Sequence, residues 1–371
     1  MNGHWQTTPS GKVRARGLGL PFAGNPGPFN AITDVEGVEI GCATIIDGEG
    51  PLVRGVGPVR TGVTAILPRG RAGAGTPCFA GAHTLNGNGE MTGLAWIEEI
   101  GQLQTPVTIT NTHSCGTARD ATLKWMAENA IGMGQDWGLP VAAETWDGEL
   151  NDINGFHVRD EHVFAALDAA AAGPLELGSV GGGTGMICYD FKGGNGSASR
   201  QVLVDGRTFT LGVFVQANFG RREQLTVLGV PVGAHITRDK LRGRDVGSVI
   251  AIVATDAPLL PHQLKRIARR VTLGLARTGT TGGHSSGDIF LAFSTANPGT
   301  LNPAGRAFRQ AEVLADVQLD PFFAATVEAV EEAVIDSVVT NATMVGRDGA
   351  TSIALPHGEL LSLMRRYGRM A

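Results

Sequence analysis

Apolar positions along this chain fall into short runs and helical stripes, separated by glycine-rich turns. Residues 63–67 form a run of strand length that stops at Pro68, and residues 107–109 form a second. Leu123, Met126, Ala127, Ala130 and Ile131 recur at helical spacing. They predict a helix over 119–131, just after the turn Thr112-His113-Ser114-Cys115-Gly116, with Gly132 as its stop. Asp160 and Glu161 open a second helix through 172, two acids at the positive end of its dipole. Residues 181–185 read as a flexible glycine crossing, and 202–204, 208–215 and 225–232 as strands linked by turns. A buried strand follows over 249–254. Leu264, Ile267, Val271 and Leu275 mark one face of a helix ending near Gly279. Another strand covers 289–293. Phe323, Val327, Val330, Val334 and Val338 mark a long helix that carries Glu328, Glu331 and Glu332 on its other faces. The first forty residues, rich in Gly, Pro and Arg, read as an extended arm.

Strands and helices cluster instead of alternating strictly, which favours sheets sandwiched between helical layers over a doubly wound parallel sheet. At 371 residues, 42% of them hydrophobic, the chain can bury a large core, and no linker divides it, so a single intertwined domain is expected. The net charge of −5 gives no basic balance that would point to nucleic acid or an anionic membrane. No stretch of about 18 apolar residues predicts a transmembrane helix, and Met1-Asn2-Gly3-His4-Trp5-Gln6 lacks the pattern of a secretory signal. Cys42, Cys78, Cys115 and Cys188 are isolated, without framework or Cys-x-x-Cys spacing, so a reduced, cytoplasmic setting is expected.

The junction Gly247-Ser248 changes the picture most. The polar approach Arg244-Asp245-Val246-Gly247 ends at a small hydroxyl residue, and the apolar, β-branched strand begins at once. Without a Cβ, Gly247 lets the peptide before the serine be bent and approached closely. The arrangement suits a chain that cuts itself there, making Ser248 a new N-terminus with hydroxyl nucleophile and α-amine base in one residue. An α-amine with a pKa of about 7.7–8.0 can take a proton from its own hydroxyl near neutral pH. Gly-Ser before an apolar strand is also a common loop-to-strand transition, so the dipeptide alone does not decide.

Seven ordered blocks do more. They are Asn86-Gly87-Asn88-Gly89-Glu90-Met91-Thr92-Gly93, Thr110-Asn111-Thr112-His113-Ser114, Glu144-Thr145-Trp146-Asp147-Gly148-Glu149-Leu150-Asn151-Asp152, Gly181-Gly182-Gly183-Thr184-Gly185-Met186, Gln216-Ala217-Asn218-Phe219-Gly220, the Gly247-Ser248 junction, and Ser285-Ser286-Gly287-Asp288-Ile289-Phe290-Leu291-Ala292-Phe293-Ser294-Thr295. Over nearly its whole length the chain thereby resembles the DmpA-type aminopeptidases, the L-aminopeptidase/D-amidase/D-esterase family that includes the β-peptidyl aminopeptidases. The resemblance implies an α+β fold, a four-layer αββα sandwich of the N-terminal-nucleophile-hydrolase type. It implies self-cleavage into an α chain, 1–247, and a β chain, 248–371, and assembly of several αβ units, typically four. It also implies removal of N-terminal residues from small peptides, amino-acid amides and esters, with a breadth that includes D-alanine amides and β-amino acids.

In that reading Ser248 is the nucleophile and its α-amine the base, forming an acyl-enzyme that water resolves. The resemblance gives Asn218 an oxyanion-stabilising role, and its amide can donate to a developing alkoxide without exchanging a proton. Ser286 and Asp288, two apart in a turn before a strand, can share one side of an extended segment. The resemblance puts them in contact with the nucleophilic residue, with Ser286 mediating part of the carboxylate's approach. Glu144 is expected to receive the substrate's ammonium group. Trp146 stands where the best-known relative has tyrosine. An indole N–H donates but cannot act as a phenol, so Trp146 walls the pocket instead.

Nine histidines show no metal-binding spacing, and the 181–185 glycine run lacks both phosphate-loop and dinucleotide fingerprints, so neither metal nor cofactor is expected. Lys265, Arg266, Arg269 and Arg270 form a basic helix face without an aromatic stacking platform, which reads as solvated or a subunit contact, not as an RNA site. Two other readings stay open: an acyltransferase like the self-cleaving ornithine acetyltransferases, which use threonine where this chain has serine, and a non-catalytic oligomeric binding scaffold.

Overall fold

The structure, a computed structural model, describes residues 3–129, 131, 137–242, 247–301 and 307–370. Ala130, the expected helix stop at Gly132, and Arg244, Asp245 and Val246 before the junction lie outside the described residues. In chain order the elements are β1 (Glu39–Asp47), β2 (Val59–Leu67), β3 (Cys78–Gly87), α1 (Leu94–Ile100), β4 (Gln102–Leu103), β5 (Val107–Asn111), α2 (Cys115–Glu128), β6 (Val141–Thr145) and α3 (Asp160–Asp168). Then come β7 (Ile187–Cys188), β8 (Phe191–Lys192), β9 (Gly194–Val204), β10 (Arg207–Asn218), α4 (Val232–His235), β11 (Ser248–Thr255), α5 (Pro261–Arg277), β12 (Gly287–Ser294), α6 (Asp320–Val339) and α7 (His357–Arg366).

One sheet has the order β1-β2-β5-β6 and the other β4-β3-β12-β11-β10-β9. Each contains one parallel pair, β5 with β6 and β11 with β12. A parallel pair needs a crossover, and the crossovers carry α2 and α5. Those helices pack on opposite outer faces. Alternation along β11 shows the layering directly. Val249, Ala251 and Val253 join the core beneath α5 and α6, whereas Ile250, Ile252 and Ala254 join the core between the sheets. A third core sits under α2 and α3, where Val63, Ala65 and Leu67 meet Ala118, Trp125, Val163 and Leu167. The fold is therefore an αββα sandwich of the α+β class. Burying Val249, Ile250, Ile252 and Val253 alone stabilises by roughly 6–12 kcal/mol.

Most predicted elements exist, the strands with longer bounds than periodicity suggested. The helix expected through 172 instead ends at Asp168, because Ala171 leaves it to bridge Ile40 of β1. The 225–232 strand does not form. Leu228 and Gly229 take positive φ, so the chain turns back and Val227 bridges Val230; Leu225, Val227, Val230 and Val232 are buried without strand pairing. The glycine crossing is not flexible but tightly packed. A Cβ at Gly182 would lie 2.2 Å from Gln216 Oε1 and 2.5 Å from Ile109 O. The polar side of α6 is buried as well. The arm covers it, with Arg14 on Asp336 and Arg16 on Glu332, both at 2.7 Å, and Arg200 of β9 adds a second bridge to Glu332 at 2.8 Å.

Candidate active site

Ser248 opens β11 on the face that Ile250 and Ile252 continue, toward the space between the sheets. Its partner across the antiparallel ladder is Asn218, the last residue of β10. Its partner across the parallel ladder is Gly287, the first residue of β12. The main chain is crowded just before it. A Cβ on Gly247 would stand 1.6 Å from the Asn218 carbonyl oxygen, so this position needs glycine for close approach and not for an unusual φ. The Gly247 carbonyl accepts from the Gly287 N–H at 3.2 Å.

Gly247 and Ser248 line a cavity of ≈470 Å³ together with Glu90, Thr112, Glu144 and Trp146. Glu144 lies on β6, carried there by the parallel pairing with β5. Its carboxylate accepts from the Thr112 hydroxyl and, at 2.9 Å, from the Glu90 N–H. Burial pushes the Glu144 pKa up, and the Glu90 charge adds to this, while the two hydrogen bonds and His113 oppose it. Asp147, buried two residues beyond the end of β6, is pushed up to about 7 by its burial.

The Asn218 side chain is fully fixed. Its Oδ1 accepts from Ile187 N–H at 2.9 Å and from Arg242 at 3.0 Å, and its Nδ2 donates to Trp146 O at 2.7 Å. Two donors on one atom and an acceptor on the other define the amide's orientation. Arg242 also sits 5.7 Å over the Trp146 ring.

Ser286 and Asp288 do meet: the Ser286 hydroxyl donates to Asp288 Oδ1 at 2.6 Å, bracketing Gly287. Asp288 pairs in register with Val249, one step from Ser248, and its Oδ2 accepts from Asn86 at 3.0 Å. Asn88 Nδ2 donates to Ser285 O at 2.7 Å, so the β3 end and the β12 entry loop are stitched together. Ser248, Glu144 and Trp146 thus share the cavity. Asn218 at the end of β10, Asp288 on β12 and Ser286 just before it flank Ser248 through the neighbouring strands and do not line the cavity. Residue-by-residue reading gave no role to Thr112 or Glu90, although both fall in quoted blocks; their proximity to Glu144 depends on strand pairing.

Thiol chemistry is disfavoured here. Burial raises Cys42 and Cys78 to about 11 and Cys115 to about 12. No group of three or more possible ligand side chains that could hold a metal occurs among the described residues.

The peptidase family S58 model matches residues 30–352. Beta-peptidyl aminopeptidase BapA of Sphingosinicella microcystinivorans is 49% identical, covering 96% of this chain and 93% of its own. The protein of the same name from Sphingosinicella xenopeptidilytica is 42% identical, covering 95% and 91%. Among solved structures, the L-aminopeptidase D-Ala-esterase/amidase from Ochrobactrum anthropi, described as a new variant among the Ntn hydrolase fold, superposes with a TM-score of 0.92. It is 49% identical, with 96% of this chain and 99% of that chain covered. A Burkholderia sp. beta-aminopeptidase superposes with a TM-score of 0.89 at 46% identity, covering 96% and 99%.

Proposed function

The chain belongs to peptidase family S58, and from that premise we propose that it is a self-processing serine aminopeptidase whose nucleophile is Ser248. The observation that carries this reading is that Ser248 and Glu144 line one cavity with the Gly247-Ser248 peptide in its wall. In maturation the Ser248 hydroxyl attacks the Gly247 carbonyl. The Gly247–N bond breaks, the amine keeps the hydroxyl proton, and water hydrolyses the resulting ester. The freed α-amine then serves as base for the same hydroxyl toward substrate. Glu144 receives the substrate ammonium by a charge-assisted hydrogen bond. The Asn218 amide supports the oxyanion, Trp146 walls the pocket, and the Ser286–Asp288 pair orients the new N-terminus from one register step away. Small peptides, amino-acid amides and esters are the substrates, with β-amino acids among the N-terminal residues removed, as the names of the relatives suggest.

Cleavage leaves the two chains interlocked. The 248–371 chain supplies β11 and β12, which lie between β3 and β10 of the 1–247 chain, so separation would break two ladders and open two cores. Such αβ units assemble, in the number of about four that the family resemblance implies, in the cytoplasm. Four free cysteines fit a reducing compartment, and no helix among the described residues is long and apolar enough to cross a membrane.

Denaturing intact mass, N-terminal sequencing and a β-alanyl p-nitroanilide assay test this together. Two chains, the smaller beginning Ser-Val-Ile, with release of p-nitroaniline are expected. A single 38.6 kDa chain that hydrolyses nothing would overturn it.

A further inference from the structure

Lys192 is fully buried, at 0% exposure, in β8, and no step above uses it. Its Nζ donates to two main-chain carbonyls, Met186 O and Gly193 O, both at 2.7 Å. The Met186 carbonyl belongs to the same peptide group as the Ile187 N–H. That N–H donates to Asn218 Oδ1 at 2.9 Å, and Asn218 Nδ2 in turn donates to Trp146 O. One rigid peptide plane therefore joins the lysine to the candidate oxyanion donor: what fixes its carbonyl end also aims its N–H end.

On the reading of Asn218 given above, we propose that Lys192 is a positioning residue for the oxyanion site, acting on Asn218 through the Met186–Ile187 peptide. A lysine is an uneconomical way to fill space in a core, because burial of a cation is costly unless it is paired. Burial drives its pKa well below the ordinary lysine range, with the cations Arg242 and Lys12 adding to this and Cys188 opposing it. Both hydrogen bonds that its Nζ makes go to main-chain carbonyls of the segment around the β7–β8 hairpin. That hairpin spans only six residues, 187–192, and its tip residues Tyr189 and Asp190 both take positive φ, so the two hydrogen bonds of Lys192 tie a short, tightly turned segment. The chain of donors and acceptors polarises along its length as well as orienting the amide.

The test is a double-mutant cycle between Lys192→Met, which keeps length and removes both donors, and Asn218→Ala. Rates are read on matured enzyme whose melting temperature has been measured. Wild-type turnover tests the reading of the site; the relay is judged on ratios to it. Lys192→Met is expected to lower kcat roughly ten- to a hundredfold with KM within about twofold, as for misplacement of a transition-state group. Affinity for 1-aminoethylboronic acid, which forms a tetrahedral anion on a serine, should fall by the same factor. Beside Asn218→Ala the lysine change should cost nothing more. Multiplying effects in the double variant, or a wild-type kcat in Lys192→Met, would overturn the proposal. If Lys192→Met does not fold, Lys192→Gln carries the same cycle. Its shorter neutral amide reaches one carbonyl at most, and its smaller loss of kcat must likewise vanish beside Asn218→Ala.

Discussion

Asn218 and Ser248 are direct register partners across β10 and β11, and the carbonyl of Asn218 lies against Gly247 so closely that a Cβ there would come within 1.6 Å of it. The residue proposed to hold the oxyanion and the peptide proposed to be cut are thus set by a single rung of one antiparallel ladder. Changes at either end of that rung separate maturation from turnover.

Asn218→Ala should lower kcat about a hundred- to a thousandfold, the usual loss for one oxyanion donor, with KM changed little. Steady-state kinetics on matured protein check this; a loss confined to KM would assign Asn218 to substrate binding instead.

Gly247→Val forces the strand start away from Asn218 O and should slow self-cleavage. Ser248→Ala should leave a folded, uncut chain. Intact mass followed over days reads both; two chains with the same new N-terminus from Ser248→Ala would remove the nucleophile from the mechanism.

Glu144 acts on an ammonium only when ionised, and its pKa is raised by burial. The acid side of kcat/KM should therefore show, besides the limb set by the α-amine base, a carboxylate limb at a higher pH than an ordinary carboxylate would give. Glu144→Gln should remove that carboxylate limb while raising KM by about a hundredfold, the order of a lost charged hydrogen bond. A pH–rate profile with an unchanged carboxylate limb in Glu144→Gln would assign the titration elsewhere.

Thr112→Val removes a hydroxyl that lowers the Glu144 pKa. The carboxylate limb should move further up in pH, with kcat on its plateau retained. A limb that moves down would contradict the hydrogen bond's sign.

Asp147 has a folded pKa of about 7, above its unfolded value of 3.8. Between those values the folded state binds more protons than the unfolded state, so stability contributed by this group falls as pH rises from about 4 to about 7 and is flat above. Asp147→Asn should flatten that slope. Melting temperatures across this range measure it.

Much of this protein is legible without coordinates. Valine, isoleucine and leucine spacing alone marks β2, β10, β11, β12, α5 and α6, because a residue buried on a strand or helix face must be apolar wherever that face recurs. The Gly247-Ser248 junction and the blocks around Asn218, Glu144 and Ser286-Gly287-Asp288 are likewise local, since nucleophile, small neighbour and carboxylate are properties of residue type and order. Only the tertiary structure decided the rest. That 225–232 turns back instead of pairing, that the glycine crossing is tightly packed, and that Glu332 is buried under Arg16 and Arg200 all follow from neighbours distant in sequence. The same holds for Thr112 beside Glu144 and for Lys192 behind Asn218. A hydrogen bond is settled by which atoms lie within about 3 Å, and strand order and register, not any local pattern, bring those atoms together.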